Sequence, residues 1–78
     1  MDKSKILLQV GKGIKEVRES KGISQIELVG RMEGNIDATN ISKIESGRTN
    51  PTIYTLFRIA DALEVKPAEL LNVDFPRN

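Results

Sequence analysis

Residues 24–51 of this 78-residue chain read SQIELVGRMEGNIDATNISKIESGRTNP, a pattern of two short helices joined by a turn. Ser24 precedes an apolar-periodic run and Glu27 stands three places later, so each side chain can satisfy the other's amide as a capping box. The spacing predicts a helix from Gln25 to Met32 or Glu33, burying Ile26, Leu28, Val29 and Met32 in part, before Gly34-Asn35 breaks it. Ile36 then re-enters the core, and Asp37 is the expected N-cap of a third helix over residues 38–46. On that helix Ile41 and Ile44 lie one turn apart and can face a core. Ala38, Thr39, Asn40 and Lys43 point elsewhere and are short or polar enough to approach base edges in a DNA groove. Gly47 can end the helix in the left-handed conformation that a C-terminal glycine favours, and Gly47 to Pro51 is a tight polar loop.

Upstream, Ser4 is placed to cap a first helix whose apolar positions Leu7, Val10, Ile14 and Val17 form one stripe. Gly11 and Gly13 interrupt it at about 1 kcal/mol each relative to alanine, so this helix must lean on tertiary packing, or another element must approach it closely. Lys21-Gly22 stops it with a basic residue followed by glycine. Downstream, Thr52 can cap a fourth helix with Leu56, Ile59, Ala60 and Leu63 on its buried face. Tyr54 and Phe57 add its largest side chains, as core or dimer contacts rather than base-stacking groups. Pro67 suits the first position of a last short helix that Leu70 and Leu71 pack down, and residues 73–78 read as a frayed tail or a dimer contact. No run alternates with period two for long enough to argue a sheet. The expected fold is all-α, a compact five-helix bundle in one domain over residues 1–78 with its core in 6–72.

Bulk properties narrow the function. Cysteine and histidine are absent, which excludes disulfides and zinc sites built on those ligands and suits a reducing cytoplasm. No apolar stretch approaches a signal-peptide core or the roughly 20 residues of a membrane span. Net charge is only +1, but residues 1–22 carry six basic against three acidic residues and residues 59–78 carry two against four. That polarity suits orientation on phosphate and equally suits an ordinary solvated surface. Nothing supplies a catalytic nucleophile paired with a base, a metal site or a phosphate-binding loop, and Gly11-x-Gly13 falls far short of a dinucleotide fingerprint. An enzyme is not expected, nor a cofactor or small-molecule effector.

Three segments in order carry a resemblance: Ile14-x-x-x-Arg18-x-x-x-Gly22-Ile23-Ser24-Gln25-x-x-Leu28, Ile41-Ser42-x-Ile44-Glu45-x-Gly47-Arg48-x-x-Pro51, and Leu56-x-x-Ile59-Ala60-x-Ala62-Leu63-x-Val65. Together they resemble the Cro/C1-type helix-turn-helix (Xre) family. The resemblance implies a lambda-repressor-like bundle whose third helix lies in the major groove of double-stranded DNA, usually as a homodimer on a two-fold operator. It implies base contacts from Ala38, Thr39, Asn40 and Lys43. It implies phosphate contacts from Gln25, Ser42, Ser46, Arg48, Thr49 and Asn50, with Arg48 best suited because a guanidinium can pair with phosphate oxygens. Arg18 and Glu45 match an ion pair between helix one and the recognition helix, an architectural role.

The chain departs from the family pattern in two places that bear on docking. The connection between Leu28 and Ile36 is longer than usual, so Glu33-Gly34-Asn35 must lengthen helix two or bulge the turn. Asp37 stands where many relatives have Ser or Thr, and a carboxylate caps well but repels phosphate. The implied function is a small bacterial or phage transcriptional regulator, in the sense of a repressor. The competing reading is a protein-interaction adaptor or antitoxin on the same fold with DNA binding secondary; short polar side chains on helix three favour DNA.

Overall fold

The computed structural model describes residues 1–74, and its first helix starts earlier than the sequence suggests. Helix α1 spans Lys3–Ser20 with Asp2, not Ser4, as N-cap. Asp2 Oδ1 accepts from the Ser4 amide at 2.9 Å, the Ser4 hydroxyl at 2.7 Å and the Lys5 amide at 3.4 Å. A carboxylate offers more acceptor capacity than a hydroxyl and interacts favourably with the helix N-terminus, so Ser4 becomes a donor to the cap. These bonds, the Ser4 hydroxyl first, hold the Asp2 carboxyl below its ordinary range.

Helices α2 (Gln25–Arg31), α3 (Ala38–Glu45), α4 (Ile53–Leu63) and α5 (Pro67–Leu70) follow, and the described residues form no strand. Their starts obey the local rules: both bonds of the Ser24–Glu27 capping box are made, Asp37 Oδ1 accepts from the Asn40 amide, Thr52 accepts from the Thr55 amide, and Pro67 opens α5. Each helix contributes to one core, whose fully buried large side chains are Ile14, Leu28, Ile41, Ile59, Leu63 and Leu70. No helix here is long and apolar enough to cross a membrane.

Ile26, expected to be buried in part, and Tyr54 and Phe57, expected as core or dimer contacts, are not in the core. Ile26 is 76% exposed, because α2 has seven residues and the single stripe it can bury runs through Leu28, Val29 and the following Met32. Tyr54 and Phe57, 73% and 56% exposed, flank the Leu56-Ile59-Ala60-Leu63 stripe of α4 rather than joining it. Helix register outweighs residue type at these positions. Leu71 is likewise half-exposed, since a single turn of α5 turns only Leu70 fully inward. Val73 is partly covered and approaches Gly13, while Phe75, assigned to the tail or a dimer contact, lies outside the described residues.

The long connection resolves as a bulged turn. Helix α2 stops at Arg31, Met32 is buried, and Glu33, Gly34 and Asn35 arch over the surface before Ile36 packs back against the core. Gly34 has φ of 92°, a conformation that residues with a Cβ rarely adopt.

Candidate nucleic-acid interface

Helix α3 is anchored at its C-terminal end and presents the rest of its length outward. Ile41 and Ile44 are buried beneath it. Glu45 sits 6% exposed and receives three donors: Arg18 Nε on Oε2 at 2.7 Å, Arg18 Nη2 on Oε1 at 3.0 Å and Gln25 Nε2 on Oε1 at 2.9 Å. Arg18 Nη1 donates to the Ile23 carbonyl at 2.7 Å, so one guanidinium ties α1 to α3 and to the start of the helix-turn-helix. The hydrogen bonds to Glu45 raise the Arg18 pKa, outweighing the opposite pull of burial. No buried side-chain nitrogen or oxygen among the described residues lacks a partner, which is the condition under which a buried pair holds geometry without a desolvation penalty left uncompensated.

Above this anchor, Thr39 and Lys43 are exposed on the face away from Ile41 and Ile44, Asn40 is exposed one turn before Ile44, and Ala38 is half-buried one turn before Ile41. The Asn40 backbone amide is used by Asp37, leaving its side chain on the surface. Two grooves flank this ridge. One, toward α1 and α2, is lined by Lys15, Gln25, Ser42, Glu45 and Ser46. On the other side lies a groove that gathers Asn35, Asn40, Lys43, Thr49, Asn50 and Thr55. Of the residues expected at phosphates, Gln25, Ser42 and Ser46 line the first groove and Thr49 and Asn50 the second, which they share with Asn40 and Lys43 of the expected base contacts, while Arg48 lines neither.

Several side chains have duties the sequence did not reveal. Gln25 uses one of its two amide protons on Glu45, so a phosphate can take only the other. Ser46 donates to the Lys43 carbonyl at 3.2 Å and accepts from Arg48 Nε at 2.9 Å, which makes it an orienting group for Arg48. That bond occupies one of the five guanidinium donors of Arg48, which is exposed. Lys15 was missed altogether. It stands one turn before Arg18 on α1, so placing Arg18 against Glu45 already implied a second cation on that side, beside Gln25 and Ser42.

A short capped helix, a turn, and a second helix pinned from beneath with a polar upper face define a helix-turn-helix DNA-binding domain. A helix-turn-helix family model matches residues 14–70. An uncharacterized HTH-type transcriptional regulator, y4dJ of Sinorhizobium fredii, is 37% identical over 62 residues, covering 80% of this chain and 78% of the relative. Among solved structures, the restriction-modification controller protein C.AhdI from Aeromonas hydrophila superposes with a TM-score of 0.82 at 28% identity, over 90% of this chain and 99% of that one. The DNA-binding domain of BldD gives 0.79 at 27% identity, over 91% and 99%. A hypothetical transcription factor, NHTF, from Neisseria also gives 0.79 at 27%, over 94% and 82%. The chain belongs to the Cro/C1-type helix-turn-helix family and is a DNA-binding transcription regulator, not an enzyme.

Proposed function

We propose that this chain is a sequence-specific repressor of bacterial or phage type that acts in the cytoplasm as a homodimer on a two-fold operator. The observation that carries the reading is the α3 ridge: Thr39, Asn40 and Lys43 exposed on a helix held by Ile41, Ile44 and the Arg18–Glu45–Gln25 network. On this reading Ala38, Thr39, Asn40 and Lys43 meet bases, with Asn40 suited to adenine, Lys43 to guanine and the two methyl-bearing side chains to a thymine methyl. Gln25, Ser42, Ser46, Arg48, Thr49 and Asn50 face phosphates, joined by Lys15. The likeness to a restriction-modification controller protein, matched over 99% of that chain, supports a regulatory role.

Selection of bound sequences from a random duplex pool tests the reading directly. A symmetric motif with half-sites about one helical turn apart is expected, and a pool that yields no motif contradicts it. On the selected duplex, Lys43→Ala should shift preference by about 1–3 kcal/mol at one base pair, whereas Arg48→Ala should weaken all sequences alike and lower the log–log salt slope by about 0.9 per lost phosphate contact. Uniform losses from both variants would contradict this division of labour.

The homodimer is best supported on α4. Leu70, near the C-terminal end of the described residues, is consumed by the chain's own core, whereas Ile53, Tyr54 and Phe57 stand exposed together on α4. Tyr54 and Phe57 border a groove that Arg31 and Asp61 also line, so a two-fold pairing can set Arg31 of each copy against Asp61 of the other. Phe57→Glu is expected to convert a dimer to a monomer in sedimentation at micromolar concentration and to weaken operator binding at least tenfold. Wild-type protein that sediments only as a monomer removes the dimer from the proposal and leaves DNA binding standing.

A further inference from the structure

The bulged turn between α2 and α3 is held from outside the helix-turn-helix by one side chain, Arg58 of α4. Its Nη2 donates to the Glu33 carbonyl, a contact between residues 25 positions apart. The guanidinium carbon lies 5.7 Å from the centroid of the Tyr54 ring, within the range of a cation–π contact. A Cβ on Gly34 would stand 2.9 Å from Arg58 Nη2, so glycine there both permits the positive φ and lets the guanidinium lie against the turn. Arg58 is half-buried and forms part of the wall of two grooves, the one beside Tyr54 and Phe57 and the one that contains Asn40 and Lys43. Glu33, Gly34 and Asn35 bury no side chain of their own. Among the described residues, Arg58 supplies the long-range hydrogen bond to the turn between Met32 and Ile36.

That path matters because it delivers Asp37, Ala38 and Thr39. The C-terminal end of α3 is fixed by Glu45, so any drift of the turn tilts the helix about that end and moves its N-terminal residues most. We propose that Arg58 is a positioning residue for sequence reading: by pinning Glu33 and Gly34 it sets the distance of Ala38 and Thr39 from the base edges, and of the Asp37 carboxylate from the DNA backbone. The inference rests on the base-reading assignment above. It gives the longer turn a purpose, since a turn lengthened without a clamp would blur the register of the helix it carries. Tyr54 is the second half of the device, its ring within cation–π range of the guanidinium.

Arg58→Met, which keeps much of the aliphatic stem and removes the donors, tests the role alongside Arg58→Lys, which restores a cationic donor without the planar fork. In Arg58→Met, amide hydrogen exchange at Asn40 and Ile41, whose amides donate to Asp37 at the start of α3, should speed at least tenfold in the protein without DNA relative to that of Ile44 and Glu45. Its half-site motif, from random-pool selection, should lose information at the base pairs facing Ala38 and Thr39 and keep it at the pair facing Lys43, with a salt slope equal to wild type. Arg58→Lys should recover part of both effects. A motif unchanged from wild type overturns the proposal, as does a uniform loss of affinity with a salt slope lower by about 0.9, which would make Arg58 a phosphate contact. A wild-type chain that selects no motif overturns the base-reading assignment and this role with it. The exchange measurement then reports separately on whether Arg58 pins the turn.

Discussion

Glu45→Gln is expected to lower the melting temperature by at least about 12 °C while leaving the purified protein able to bind DNA wherever it remains folded. Glutamine nearly matches glutamate in shape, so the effect isolates charge and hydrogen-bond polarity. Three donors converge on the two carboxylate oxygens of Glu45, two from Arg18 and one from Gln25. A carboxamide has one oxygen, and whichever way it turns, at least one donor then faces an NH2 group. Arg18 keeps its charge in a site where it is 7% exposed, with the Ile23 carbonyl and one neutral amide oxygen in place of a carboxylate. Stranding one member of a buried pair costs about 3–5 kcal/mol, a large share of the roughly 4–12 kcal/mol expected for a domain of this length. At about 4–8 °C per kcal/mol for small domains, the lower bound gives the stated shift. Thermal unfolding followed by circular dichroism measures it. A melting temperature unchanged from wild type, with operator binding abolished at 10 °C, would move Glu45 from the architecture to the interface. Replacing Arg18 by Met in the same chain should recover part of the loss, because the stranded charge is then gone.

The contrast between Glu45 and Arg58 shows where the sequence is readable. Helix starts at Gln25, Ala38, Ile53 and Pro67 follow from residues one to three places away, and the buried stripes of α3 and α4 follow from a period of 3.6; both rules are local. Asp2 displaced Ser4 because two plausible caps stood two residues apart and the stronger acceptor won. Ile26 departs from expectation, and Tyr54 and Phe57 from the core half of theirs, because an apolar side chain suggests burial while its angular position on a short helix decides it. The ridge on α3 was legible from its own residues, whereas the assignment of phosphate contacts came from family likeness and not from any local signal. Arg58 reaching Glu33 had no signature at all. The two residues are remote in sequence, the donor meets a backbone carbonyl that no residue type encodes, and the only trace is a glycine at 34 in a turn longer than the family's.

Gly11→Ala is expected to destabilise the protein by about 1–3 kcal/mol even though alanine is the better helix former. Gly11 lies buried in the middle of α1, where the end of α3 crosses it. A Cβ there would stand 2.6 Å from the Glu45 carbonyl oxygen and closer still to that of Ile44. Those are backbone atoms, so relief requires α1 and α3 to part rather than a side chain to swing aside. The same crossing continues at Gly47, whose added Cβ would meet the Leu8 Cα at 2.8 Å and whose φ is 74°. Separating the helices at this point also stretches the Arg18–Glu45 bonds, so the overpacking cost and the loss of the ion pair add in the same direction. Gly30→Ala is the control. Gly30 is within α2, is exposed, and would place its Cβ at least 4 Å from every neighbour outside its own helix, so there the intrinsic preference should prevail and stabilise by up to about 1 kcal/mol. Opposite signs for one chemical change at two helical glycines, read from denaturant midpoints at equal slope, would establish close approach at Gly11 as the reason α1 tolerates a poor helix former. Equal stabilisation at both sites would refute it, and with it the packing of α3 onto α1 that holds the reading helix in place.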